Sequence, residues 1–176
     1  MAKPHDLVLW DWNDMVGSFH NESDRGAAVL AGGFVENYLG IYLRSFFVDP
    51  KVGEELFGAL GPLSSFSQRT ALARAYGYIS KKQYEDLNLI RKIRNYFAHH
   101  PLEASFASPN VAQLAARLSE IKTAKESDPK NDGERNRRAF LFSCGVFCGV
   151  IHLQMEKHER KRKSTSTKAM QRGNDA

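Results

Sequence analysis

Residues 80–101, SKKQYEDLNLIRKIRNYFAHHP, carry the reading on which the fold depends. Tyr84, Leu87, Ile90, Ile93 and Phe97 recur at intervals of three and four, the period of an amphipathic helix and not the alternation of a strand. Ser80 and Gln83 have the spacing of a capping box, in which a hydroxyl and a side-chain amide each take up a backbone amide at the helix start. Pro101 ends the run, because it has no amide proton and restricts the residue before it. The stretch predicts a helix from Ser80 to His100 whose last turn is a cationic, imidazole-bearing tip.

Working outward, the same period recurs on both sides. A helix is predicted over roughly 6–19. Another starts after the Asn21–Asp24 cluster, whose side chains can cap it, and runs to about Phe47, with Ala27, Leu30, Ala31, Phe34, Tyr38 and Ile41 as its stripe, widened on one side by Val35, Leu39, Tyr42 and Phe46. Gly53–Leu60 reads as a short helix, and Ser67–Tyr76 as the next, closed by Gly77 in a left-handed conformation. Ser108 and Pro109 open an amphipathic stripe from Val111 to Ile121. Lys125–Gly133 reads as the longest loop. The last helix starts near Glu134, is apolar on most faces from Phe140 to Met155, and is expected at the centre. The fold class is all-α, a single-domain bundle of about six to seven helices over 1–155. A basic tail, 156–176, is expected to be disordered.

Composition agrees with one soluble domain: 176 residues, 42% hydrophobic and 26% charged. Cys144 and Cys148 lie four apart in an apolar run without the partners of a zinc site, and read as reduced core thiols. The apolar run Ala139–Ile151 is shorter than the roughly 18–20 residues that span a bilayer, and the start of the chain has no apolar leader, so a cytoplasmic protein with no membrane contact is expected. The net charge of +5 is unevenly placed. From Glu156 onward seven Lys and Arg face three acids, which leaves the first 155 residues with 18 bases against 17 acids. Affinity for RNA or for nucleic acid of any sequence is therefore expected mainly in Lys157–Lys163, with Lys161, Arg162 and Lys163 as its binding residues; the alternative is a solvated, frayed terminus.

Most chemical motifs are missing. Glu54-Glu55 and Glu85-Asp86 are adjacent and diverge on a helix, Gly32-Gly33 has no strand before it to form a phosphate loop, and no Gly-x-Ser-x-Gly occurs. Small residues at 32 and 33 suit close helix packing instead. The informative segment is Arg91–His100. Asn95 and His99 are four apart on one helical face, whereas Arg94 lies about 100° from Asn95 and needs a loosened last turn or a second subunit to join them. His99 titrates near neutrality and can move a proton at a ribose hydroxyl, while Arg94 can neutralise charge on a phosphodiester, with no metal or cofactor required. The alternative is that Arg94 and His99 bond to helix-end carbonyls or to an acid such as Asp24, and only fix a packing interface.

Four blocks in order, SDRGAA at 23–28, GPLSSFS at 61–67, GYIS at 77–80 and DLNLIRKIRNYFAH at 86–99, resemble the mannitol repressor (MtlR-like) family over about residues 20–122. The resemblance implies an all-α bundle and a negative regulator of mannitol utilisation without a recognisable helix-turn-helix. Arg94-Asn95-x-x-x-His99 is also similar to the signature of the HEPN group, whose Arg and His act in metal-independent RNA cleavage. That likeness assigns Arg94, Asn95 and His99 as catalytic residues if the chain is a nuclease. Asp24, Arg25, Arg91 and His100 are further candidate binding residues. The basic tail and the early Trp10 and Trp12 are not accounted for by either likeness.

Three functions follow as expectations. The favoured one is a helical homodimer that lowers transcription by binding another protein, since the neutral body lacks the basic face of a DNA reader. The second is a ribonuclease with paired Arg94 and His99 at a dimer two-fold. The third is a small-molecule sensor or metabolic enzyme using Arg91, His99 and His100.

Overall fold

The computed structural model describes residues 17, 19, 21–100, 102 and 104–174, with side chains as far as 158 and at 160. Seven helices and no strand occupy these residues: α1 (Asp24–Arg44), α2 (Pro50–Phe57), α3 (Phe66–Ala75), α4 (Lys81–His99), α5 (Pro109–Ala115), α6 (Ile121–Glu126) and α7 (Asp132–Asn174). The helix expected over 6–19, with Trp10 and Trp12, lies outside the described residues apart from its last positions.

Local chemistry explains most of the starts. Ser23 accepts the Gly26 amide at the head of α1, and Ser65 and Ser80 form complete capping boxes with Gln68 and Gln83. Gly77 (φ 71°) turns the chain after α3. α2 starts three residues before the expected Gly53: Asp49 accepts from the Lys51 and Val52 amides, and Pro50 sits in the first turn, so Asp49-Pro50 opens this helix, while α1 has already ended at Arg44, short of the expected Phe47. α7 also starts early, because Asn131 Oδ1 accepts the Glu134 amide and the Glu134 carboxylate reaches back to the Lys130 amide.

One expected helix is two. The stripe Val111–Ile121 is broken between α5 and α6, where the Asp86 carboxylate of α4 accepts the Ser119 amide at 3.0 Å and the intervening residues form tighter turns. The loop before α7 is shortened accordingly to 127–131.

α1 and α7 form the spine. α1 packs against α2, α3, α4 and α7, while α7 packs against α1, α4, α5 and α6. Leu39, Leu43, Ile90, Ile93, Phe97, Phe106 and Phe140 are fully buried between them. Leu30, placed in the expected stripe of α1, is 49% exposed, whereas Ala27, Ala31, Phe34 and Tyr38 of that stripe are buried, together with Val35, Leu39 and Tyr42 beside it. Cys144 and Cys148 are free, buried thiols of α7, as expected. Over residues 132–158 α7 is long and apolar enough to cross a membrane by length and composition, which the shorter Ala139–Ile151 run did not reveal. Of its most apolar window 44% is buried within the bundle.

Candidate functional site

The Arg94–His99 tip is built by three helices. α4 ends as its sequence requires: His100, before proline, leaves the helical region (φ −122°, ψ 72°), and its ring lies flat on Tyr96 with Nδ1 donating to the Tyr96 carbonyl at 2.9 Å. The His99 side chain is exposed and has no hydrogen bond among the described residues.

Arg94 turns the other way, toward α1. Its guanidinium pairs with the Glu36 carboxylate and also donates to Asn95 Oδ1 at 3.0 Å. The long side chain thereby spans the offset between neighbouring helical positions that a shorter one could not. With its oxygen occupied, the Asn95 amide keeps its NH2 group for an outside acceptor. Glu36 serves a second cation, Arg69 of α3, at 3.8 Å. Arg69 is fixed by the Leu63 carbonyl (2.8 Å) and the Ser64 carbonyl (3.1 Å). Burial lowers the Arg69 guanidinium from its ordinary value, Glu36 opposing this and Arg44 adding to it.

Small residues of α1 permit the arrangement. Glu36 lies between Gly32 and Gly40, one turn away on either side. A Cβ on Gly32 would stand 2.8 Å from both Cβ and Cγ of Arg94, so α4 rests on bare backbone at this point. Gly33 has nothing within 4 Å of such a carbon. Close packing thus belongs to Gly32 and not to the pair.

The remaining candidates are dispersed. Asp24 is not the partner of Arg94: its carboxylate accepts from Arg137 Nη1 (2.7 Å) and from the Phe106 amide (3.0 Å), tying the start of α1 to α7 and to the loop before α5. Arg25 is exposed. Arg91 is half-buried, four residues before Asn95 and eight before His99, and its Nε is buried without a hydrogen bond among the described residues. The backbone of Lys161, Arg162 and Lys163 continues α7, and their side chains lie outside those described.

Sequence reading missed Glu36 and Arg69. The signal for Glu36 was an acid inside an otherwise apolar stripe, flanked by glycine one turn on each side. No comparable signal marks Arg69, whose partners come from a turn and from another helix.

Elsewhere, Tyr38 Oη lies 2.8 Å from His152 Nδ1, and His152 Nε2 lies 3.5 Å from Glu156. Burial, with Cys148 and Glu156 nearby, pushes the Tyr38 phenol up to about 12, so it stays protonated and is no nucleophile at neutral pH. Among the described residues no group of three His, Cys, Asp or Glu side chains is placed to hold a metal. A cavity of about 510 Å³ is walled by Phe46, Phe47, Val52, Leu72, Tyr76 and Tyr78. It involves none of Arg91, His99 and His100, the cluster expected to serve a small-molecule site.

Compared with known proteins, the chain matches the family model described as mannitol repressor over residues 43–170. No curated protein and no solved structure matches it. The matched region starts after the SDRGAA block and reaches far into the basic segment. The tail that the resemblance left unassigned is therefore mostly inside the match, and the early tryptophans are outside it.

Proposed function

Because the chain belongs to the mannitol repressor family, we propose that it is a cytoplasmic negative regulator of transcription that acts by binding another protein and not by reading DNA. The observation that carries this reading is the pairing of Arg94 with Glu36 over Gly32. The cation most suited to a phosphate is spent inside the chain, and the rest of the body is close to neutral. A DNA reader needs the opposite, an uncompensated basic face. The basic segment from Lys157 onward supplies at most a sequence-independent attraction to nucleic acid, weakening with salt.

Metal-independent RNA cleavage by Arg94, Asn95 and His99 is the competing reading, favoured by the exposed imidazole of His99 and the free amide of Asn95. It requires Arg94 to leave Glu36 or to serve carboxylate and phosphate together.

One pair of measurements separates them. The full chain and a variant with Lys161, Arg162 and Lys163 changed to Ala are titrated onto duplex DNA at roughly physiological salt, and each is incubated with RNA in EDTA. The expected outcome is weak binding by the full chain, none by the variant, and intact RNA. A sequence-specific shift by the variant, or cleavage abolished by His99→Ala, would overturn the proposal.

A further inference from the structure

α7 has a face that the bundle leaves open. Val146 is 50% exposed, Val150 36% and Leu153 57%, whereas Phe147, Cys148 and Ile151 are buried. Exposed Lys157 and Arg160 continue the same line. The intervals 146, 150, 153, 157, 160 are four, three, four and three, the seam of a helix that packs along a second helix. A Cβ on Gly149, beside the seam, would meet nothing within 4 Å, so the neighbouring surface is bare.

The two ends of this seam differ in charge. At the N-terminal end a small cleft of about 100 Å³ is bounded by Ser143, Val146, Phe147 and Val150 on one side and by Lys82, Asp86 and Glu120 on the other. Its acids outnumber its base. Asp86 gives one oxygen to the Ser119 amide and Glu120 gives one to Thr123, and the second oxygen of each has no hydrogen bond among the described residues. Ser143 is 4% exposed, and its Oγ is buried with no hydrogen-bond partner among the described residues. Such a group costs free energy unless something outside supplies its hydrogen bond. At the C-terminal end of the seam stand Lys157, which has no ion pair among the described residues, and Arg160, which pairs with Glu156 at 3.5 Å.

We propose that this face pairs with a second copy of the same chain, α7 crossing α7 antiparallel with the two-fold axis near Val150. An isologous interface needs a self-complementary surface, and an acidic cleft at one end with cations at the other is one. Lys157 lies seven residues after Val150 and Ser143 seven before it. The axis therefore sets Lys157 of the second copy over the Ser143 cleft, about 10 Å from the axis, and does so twice. The lysine stem covers Val146 and Phe147, and the ammonium meets Asp86, Glu120 and the Ser143 hydroxyl. Val146, Val150 and Leu153 form the dry centre. This seam is distinct from one through Arg94: Lys82, at the cleft, and Arg94 are twelve residues apart on α4, roughly 18 Å.

The test is the mass of the full chain in solution by light scattering, over a concentration series. The expected result is twice the 19.8 kDa chain mass. Val150→Asp, at a partly exposed position, raises the dimer dissociation constant at least about tenfold with helix content unchanged. Lys157→Glu and Glu120→Lys each weaken the dimer, and the two changes together restore it. A monomer at every concentration, a dimer indifferent to Val150→Asp, or a charge swap without restoration would each overturn the proposal. A monomer destabilised by Val150→Asp would assign the face to a segment of its own chain outside the described residues.

Discussion

Gly32 and Gly33 are neighbours with opposite roles, and substitution separates them. Alanine at 32 drives a methyl into the stem of Arg94, which is held at its far end by Glu36 and cannot swing aside freely. Overpacking of this kind costs about 1–3 kcal/mol. Alanine at 33 meets nothing and removes the backbone entropy penalty of a helical glycine, a gain of roughly 0.5–1 kcal/mol. Urea unfolding of the two variants is expected to move the midpoint down for Gly32→Ala and up for Gly33→Ala. Equal shifts would show that the contact between α1 and α4 does not carry load at this point. The sequence showed two small residues in a helix, but which of them faces a neighbour depends on the rotation of α1 in the bundle.

α4 was legible as an element almost to the residue. Its start, stop and buried side were read from Ser80, Gln83, Pro101 and the spacing of Leu87, Ile90, Ile93 and Phe97, and all of these act within a few residues of one another. Ser80→Ala is expected to cost about 1 kcal/mol, since it frees the Gln83 amide at the helix head. The loss is read as a lower denaturant midpoint with an unchanged slope; a changed slope would mean that α4 melts separately. The stripe from Val111 to Ile121 was equally regular and was misread as one helix. The Asp86 carboxylate that captures the Ser119 amide lies 33 residues away in sequence, so no local pattern announces the break. The candidate site shows the same division. Arg94, Asn95 and His99 were placed correctly on α4, but the acid that engages Arg94 was sought at Asp24, and it is Glu36 that α1 presents to that turn.

For the whole molecule, alkaline pH tests how tightly the α1–α7 spine is closed. Burial pushes the Cys144 thiol well above its ordinary value of 9.0, with Cys148 adding to it, and burial alone raises Cys148. In the unfolded chain both thiols lose their protons near the ordinary value, while the folded chain retains them. The unfolded state then binds fewer protons, so stability is fully present below about pH 9 and falls as pH rises above it. The limiting slope is about 1.4 kcal/mol per pH unit for each thiol. Tyr38 adds its own loss between its ordinary value of 10.0 and about 12. Unfolding free energies measured from neutral pH upward are expected to drop beyond pH 9, and to drop less when both cysteines are replaced by alanine. A flat profile would mean that water reaches the thiols in the folded state.

What the sequence determined by itself was everything set by near neighbours along the chain: an all-α fold, the heads and ends of most helices, two reduced thiols on one buried face, and a neutral body with its excess charge at the end. These follow from hydrogen bonds and side-chain periodicities within a turn or two. Tertiary structure alone decided which helix faces are covered. It joined Arg94 to Glu36 and Arg69 across three helices, sent Asp24 to Arg137, and left the Val146–Leu153 side of α7 uncovered by the described residues although its composition is that of a core. The physical reason is that burial and ion pairing depend on the rotation and depth of each helix in the bundle, and those are fixed by contacts among residues tens of positions apart.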